Sequence, residues 1–377
     1  MTPNEVLQYF RERQPLMIDS IREIVDIESP SYNAIQSIKI ADWVERQVGD
    51  LKLDLTFERT AADGLGEHVL IRAFDGEERH TLLLGHTDTV HPLGTNLQNP
   101  TRIEGDRFYG CGVFDMKSGI VLMFEALRFF AATGKRPARP ITILLSCDEE
   151  VGSHNGRALV EREAANAQCC FVFEPSAEGS VKTGRKGTAN YKVIAHGIPA
   201  HAGLEPEKGA NAIVEISRQI EKIHSVANPE IGTTVNVTTF HGGTATNVIP
   251  ENAECEIDVR FSKMTESARI ERELRSLSPF DTRVSLELIG GINRPPMERT
   301  EAVVSLFAKA RDLASSFGYD LGETQVGGAS DGNFVGALGV PVLDGLGIAG
   351  AGAHTLEEHI LVSDIAKRAT LVTLLLS

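Results

Sequence analysis

Three short apolar stretches, each running directly into side chains that can bind a metal, constrain this chain more than anything else in it. Residues 81–85 lead into His86 and Asp88, residues 141–147 into Asp148, Glu149 and Glu150, and residues 169–173 into Glu174. Apolar runs this short, without polar alternation, suit strands buried on both faces, and such strands belong to largely parallel sheets. Helical patterns separate them, at 120–130 and 153–165, so the expected fold class is α/β. In such sheets ligands collect beyond the carboxyl ends of the strands. His86, Asp88, Glu149, Glu150 and Glu174 all fall there, as does His354, which follows residues 340–344 through Gly345, Gly347, Gly350 and Gly352. Independent surface charges would not recur at strand ends in this way. His86 and Asp88 are two residues apart, so an extended backbone sets an imidazole and a carboxylate side by side.

Around this pattern lie amphipathic helices at 1–22 and 35–48, strands at 51–57 and 68–73, and a closing helix at 363–376. A glycine-rich loop, Gly110-Cys-Gly-Val-Phe-Asp-Met-Lys-Ser-Gly119, puts Asp115 just ahead of the helix at 120–130. A middle segment has a different texture: strand 190–196, helix 210–225, strands 233–240 and 253–261 with alternating side chains, helix 265–277, strand 282–289. That β-α-β-β-α-β order is ferredoxin-like. The expected architecture is a mixed, mostly parallel sheet domain flanked by helices, made of residues 1–178 and 292–377, with an inserted α+β domain of residues 179–291.

At 377 residues the chain is long enough for two such cores. Its 52 acidic against 37 basic side chains give a net charge of −15, which repels phosphate backbones and anionic membrane surfaces. Nucleic acid and membrane are therefore not expected partners. Residues 1–22 mix charged and apolar side chains and lack the apolar core of a signal peptide, so a cytoplasmic location is expected. The five cysteines, Cys111, Cys147, Cys169, Cys170 and Cys255, show no C-x-x-C spacing. Their odd number and mostly apolar surroundings suit reduced, buried thiols.

Two histidines and several carboxylates make a mixed nitrogen and oxygen donor set without thiolate, which suits zinc, with cobalt or manganese as substitutes. Such carboxylates would repel one another unless cations shared them. Two metals about 3.5–4 Å apart would neutralise the cluster and polarise an attacking water. Gly345-x-Gly347-x-x-Gly350 matches a dinucleotide fingerprint, but the chain ends before a second strand with an acidic ribose partner can follow. Lys182, Arg185 and Lys186 read as a solvated basic cluster, and His68, His80, His91, His154, His196, His224, His241 and His359 as structural or exposed.

The motifs carry a further reading. His86-x-Asp88-Thr-Val, Gly112-x-x-Asp115-Met-Lys-x-Gly119, Asp148-Glu149-Glu150-x-Gly-Ser153, Phe173-Glu174-Pro175, Ala200-His201-Ala-Gly203, Asn247-x-Ile-Pro250, Asp258-Val-Arg260 and Gly352-x-His354 together resemble the co-catalytic zinc aminoacylase and carboxypeptidase family. That family includes glutamate carboxypeptidases, acetylornithine deacetylases and succinyl-diaminopimelate desuccinylases. The resemblance implies that Asp115 bridges two zinc ions, with His86 and Glu174 completing one site and Glu150 and His354 the other. It implies Glu149 as the general base that takes a proton from the attacking water and returns it to the leaving amine. Asp88 would accept the free ring N–H of His86, and the peptide after Asp115 would be cis.

In the inserted domain, His201, Asn247 and Arg260 match positions that face substrate. His201 would be an oxyanion donor reaching across from a partner subunit, and Arg260 a planar fork gripping a substrate carboxylate. The family uses this domain as a lid and for dimerisation, so a homodimer is expected. The implied reaction is hydrolysis of an amide bond next to a free carboxylate in a small peptide or N-acyl amino acid. Residues 330–334, 339–345 and 353–359 are most similar to the glutamate carboxypeptidase branch, which releases C-terminal glutamate. The alternative is deacylation of an N-acyl amino acid such as acetylornithine or succinyl-diaminopimelate. A metal-binding protein without hydrolytic activity is a further alternative, against which retention of Glu149 argues.

Overall fold

The computed structural model describes residues 1–377. The chain divides into two compact units: Met1–Gly184 with Arg299–Val326 and Ser330–Ser377, and Arg185–Glu298 with Gly327–Ala329.

The first unit is built on six strands in the spatial order Leu55–Ala62, Gly66–Ala73, Ile141–Ser146, His80–His86, Ala167–Val172 and Val342–Leu343. The last four pair in parallel, and the first two join through antiparallel pairings. This is the expected mixed, mostly parallel sheet flanked by helices. Successive side chains along these strands enter opposite faces. Val69, Ile71, Leu83, Ile143, Leu145 and Phe171 join one large core with the helices Pro3–Asp26, Ala34–Asp50, Ser118–Thr133, Glu301–Ser315 and Val362–Leu376. Leu70, Leu82, Leu84, Leu144, Cys170 and Val172 are just as buried but lie outside that core. Helices Arg157–Ala164 and Gly332–Ala337 pack against the strand Ala167–Val172. Burial on both faces is why these strands show no polar alternation. Each Leu, Ile or Val buried this way stabilises the sheet by roughly 1.5–3 kcal/mol, which makes its strand ends rigid supports.

Two local features steer the chain toward those ends. Helix Ser118–Thr133 is buried continuously from Ser118 to Leu127. It meets the sheet at Gly119, where an added Cβ would stand 2.3 Å from the Phe173 carbonyl oxygen. A small antiparallel sheet in the order Gly350–Ala351, His359–Leu361, Arg107–Tyr109 and Arg102–Glu104 carries the loop that holds His354. The helix expected from residue 153 begins instead at Arg157. Gly152 and Ser153 take positive φ, 100° and 54°, and form a turn rather than a first helical turn. No helix is long and apolar enough to cross a membrane.

The second unit has a four-stranded antiparallel sheet in the order Thr234–Gly242, Asn252–Phe261, Gly187–His196, Ser285–Arg294. Helices Ala212–His224 and Met264–Arg275 bury Ile216, Ile223, Ile270 and Leu274 with Val193, Ala195, Val235, Ile257 and Val259. Apart from a two-residue ladder of Ala200–His201 with Val248–Ile249, its elements follow the expected order β-α-β-β-α-β.

Candidate metal centre

Parallel register brings three strand ends level. His86 stands beside Ser146 and Leu84 beside Val172, and the Phe173 N–H donates to the Leu84 carbonyl at 3.0 Å. His86, Glu149, Glu150 and Glu174 therefore emerge at one edge. Asp115 arrives from the loop ahead of helix Ser118–Thr133, turned by Gly112 at φ 75°, and the Asp115–Met116 peptide is cis. His354, itself at φ 64°, comes from the loop of the small sheet.

Asp115 lies at the middle of this group. Its Oδ1 is 3.1 Å from His86 Nε2 and its Oδ2 is 3.3 Å from His354 Nε2. Glu174 Oε1 is 3.5 Å from His86 Nε2, and Glu150 Oε2 is 3.3 Å from His354 Nε2. The donor atoms of His86, Asp115 and Glu150 all lie within 4.8 Å of one another, and so do those of His86, Glu149 and Glu174. His86 and Glu174 are buried, whereas the His354 side chain is 51% exposed, so the cluster opens to solvent on the His354 side.

Mutual attraction sets the protonation of these groups. Asp115 and Glu150 hold the His354 imidazole up at about 10. Burial disfavours charge on His86, but Asp115, Asp88 and Glu174 raise it well above the usual imidazole range. Burial would raise Asp115, but the two imidazoles pull it well below the usual carboxylate range. Glu150 is raised by burial. These shifts describe acidic side chains in need of positive charge, the role that a divalent cation fills. The donor set fits one: two imidazoles and carboxylates, no thiolate, and a buried Glu150 Oε1 without a hydrogen-bond partner.

The surroundings hold the ligands in place. The His86 Nδ1–H donates to the main-chain oxygen of Asp88 at 3.0 Å, leaving Nε2 to face the cluster, while the Asp88 carboxylate is farther away, at 3.4 Å. That carboxylate instead accepts from the Glu149 and Glu150 amides at 3.2 and 3.1 Å and from Ser31 Oγ at 2.8 Å. Asp88 thus fixes the acidic turn as well as the histidine. Asp148 accepts from the Asn155 and Gly156 amides, and Asp331 from the hydroxyls of Ser146 and Ser153. His91 is structural: it is buried and its Nε2 donates to Glu358 at 2.8 Å. Cys111 and Glu358 raise its pKa to about 9.

The three candidate substrate residues belong to the second unit. His201, exposed, pairs in a short ladder with Val248, and its Nδ1 accepts from the Gly203 and Leu204 amides at 3.1 Å each. Asn247 accepts from the Ala202 amide through its main-chain oxygen. Arg260 is gripped by Asp258, with Nε at 3.0 Å and Nη2 at 2.8 Å from its carboxylate. The two residues are two apart on one strand, so they form an ion pair on a single strand face.

A cluster of imidazoles and carboxylates at the carboxyl edge of such a sheet is the architecture of metal-dependent hydrolases. The chain matches Peptidase family M20/M25/M40 over residues 82–377 and belongs to that family of metallopeptidases and amidohydrolases. It is a hydrolase of that family, whose members are generally metal-dependent. It is 29% identical over 371 residues to carboxypeptidase G2 of Pseudomonas sp. strain RS-16, covering 97% of this chain and 89% of that protein. It is 31% identical over 301 residues to succinyl-diaminopimelate desuccinylase of Verminephrobacter eiseniae, covering 74% of each. Its fold matches the crystal structure of aminopeptidase PepT from Bacillus cereus with a TM-score of 0.80 at 23% identity, over 96% of this chain and 98% of that one.

Proposed function

We propose that the chain is a two-zinc exopeptidase that releases a C-terminal glutamate from peptidyl or N-acyl substrates. The observation that carries this reading is the division of the Asp115 carboxylate, one oxygen toward His86 and the other toward His354, with Glu174 beside the first and Glu150 beside the second. His86, Glu174 and one Asp115 oxygen would hold one ion, and Glu150, His354 and the other oxygen the second, with cobalt or manganese as substitutes. Bound zinc would polarise the scissile carbonyl and acidify the attacking water.

Glu149, beside His86 and Glu174, takes the proton from that water as its oxygen adds to the carbonyl carbon. When the C–N bond breaks, the same proton passes from Glu149 to the departing amine nitrogen. His201, from a partner subunit of a homodimer built through the second unit, donates to the developing oxyanion, with Asn247 beside it. Arg260 binds the free carboxylate of the substrate, which must compete with Asp258 for the guanidinium. Five free thiols, four of them buried, support a cytoplasmic location.

The near full-length likeness to a carboxypeptidase supports the exopeptidase reading, and the resemblance of residues 330–334, 339–345 and 353–359 to the glutamate carboxypeptidase branch supports glutamate as the residue released. The 31% identity to a desuccinylase supports a second, deacylation of N-acyl amino acids by the same residues. A substrate panel with zinc or cobalt separates them: folyl- and peptidyl-glutamates against N-acetylornithine, N-succinyl-diaminopimelate and simple N-acyl amino acids. Preference for a terminal glutamate is the expected outcome. Preference for N-acyl substrates would transfer the assignment to the second reading, and no hydrolysis of any of them by metal-loaded protein would overturn both.

A further inference from the structure

Glu358 is fully buried, yet it is not among the residues assigned to metal or substrate. Its carboxylate accepts four hydrogen bonds. Oε2 takes the Gly112 N–H at 2.8 Å and His91 Nε2 at 2.8 Å, and Oε1 takes the Phe114 N–H at 2.8 Å and the Asp115 N–H at 2.9 Å. Three of these donors are main-chain amides of the loop that presents Asp115. Glu358 itself lies four residues beyond His354, on the segment that presents the other end of the Asp115 contact. Its main-chain oxygen accepts from the Gly110 amide at 3.2 Å, a second tie between the same two segments. A buried carboxylate is a poor device for stability alone, because desolvation offsets most of what its partners return. It is a good device for holding two loops in one relative position, since each oxygen is saturated by donors from a defined direction.

We propose that Glu358, braced by His91, is a positioning residue that fixes Asp115 relative to His354 and so sets the affinity of the centre for metal. This rests on the two-metal reading above. Gln at this position has the shape of Glu, but its NH₂ must face either the Phe114 and Asp115 amides or the Gly112 amide and His91, donor against donor. Glu358→Gln is therefore expected to keep its circular dichroism spectrum while its zinc dissociation constant, measured by chelator competition, rises about 10–100-fold. At saturating zinc kcat should fall with KM unchanged.

His91→Leu, which removes one of the four bonds, should move the dissociation constant in the same direction by less, and it carries the test if Glu358→Gln does not fold. Tyr319→Phe, which removes a 2.8 Å bond to Asp364 elsewhere in the unit, should leave zinc affinity unchanged. Zinc affinity and kcat within about two-fold of the wild type in a folded Glu358→Gln or, failing that, His91→Leu would overturn the proposal. So would equal weakening in Tyr319→Phe, which would mark a general loosening. A wild-type chain that binds no metal would remove the two-metal reading itself and this proposal with it.

Discussion

Gly119→Ala asks whether packing behind the centre sets its geometry. An added Cβ would stand 2.3 Å from the Phe173 carbonyl oxygen and 3.0 Å from Phe173 Cβ. Ordinary carbon contacts lie near 3.5–4 Å, so the start of helix Ser118–Thr133 must retreat from the strand end by roughly 1 Å. Both sides of that contact carry site residues, because Asp115 precedes Gly119 by four positions and Glu174 follows Phe173. Overpacking of this kind costs about 1–3 kcal/mol, and the better helix propensity of Ala returns up to about 1 kcal/mol of it. Stability should therefore fall modestly. Activity should fall much further, because a 1 Å misplacement at a reacting centre can cost about 100-fold. Thermal unfolding and steady-state kinetics on the same preparation make the comparison, with zinc affinity as a third reading. A variant with wild-type kcat and zinc affinity would refute the claim that the Gly119 contact sets the spacing of Asp115 and Glu174.

Three other perturbations separate the roles of individual side chains. Glu149→Ala should keep its metal, read by elemental analysis, and lose turnover by about 10²–10⁴-fold; undiminished turnover would remove Glu149 as the proton carrier. Asp88→Asn puts an amide NH₂ against the Glu149 or the Glu150 N–H, so it should destabilise the fold by about 1–3 kcal/mol in denaturant titration. It should also depress kcat, and a neutral result in both would mean that the acidic turn holds itself. Arg260→Ala should raise KM for carboxylate substrates while leaving metal content intact; if neither KM nor kcat/KM moves, its grip on the substrate is wrong.

The parts of the centre that were legible in the sequence are those whose placement follows from a strand. His86, Glu149, Glu150 and Glu174 each follow an apolar run, and parallel register makes such positions neighbours. Asp115 sits on a loop where periodicity is silent, and only its motif pointed to it; His354 was read as following the strand at 340–344, but it is the small sheet, not that strand end, that carries its loop. The small sheet that seats the His354 loop was not anticipated, because strands of two or three residues carry no pattern. The strand Val181–Arg185, buried at all five positions, escaped because Lys182 and Arg185 read as solvated charge, a reading their burial overturns. His91 and Glu358 are 267 positions apart and meet only through the fold. The role of Asp88 was half legible: two-residue spacing put it beside His86, but the nearer contact is its main-chain oxygen, and its carboxylate serves the turn at Glu149 and Glu150.

In the proposed centre one carboxylate, Asp115, joins two metal sites. Zinc titration of metal-free protein, followed calorimetrically for the wild type and for Asp115→Ala, checks this. Two equivalents per chain in the wild type, with both sites weakened together in Asp115→Ala, is the expected result. Binding of no zinc, or of a single equivalent that Asp115→Ala leaves untouched, would contradict it.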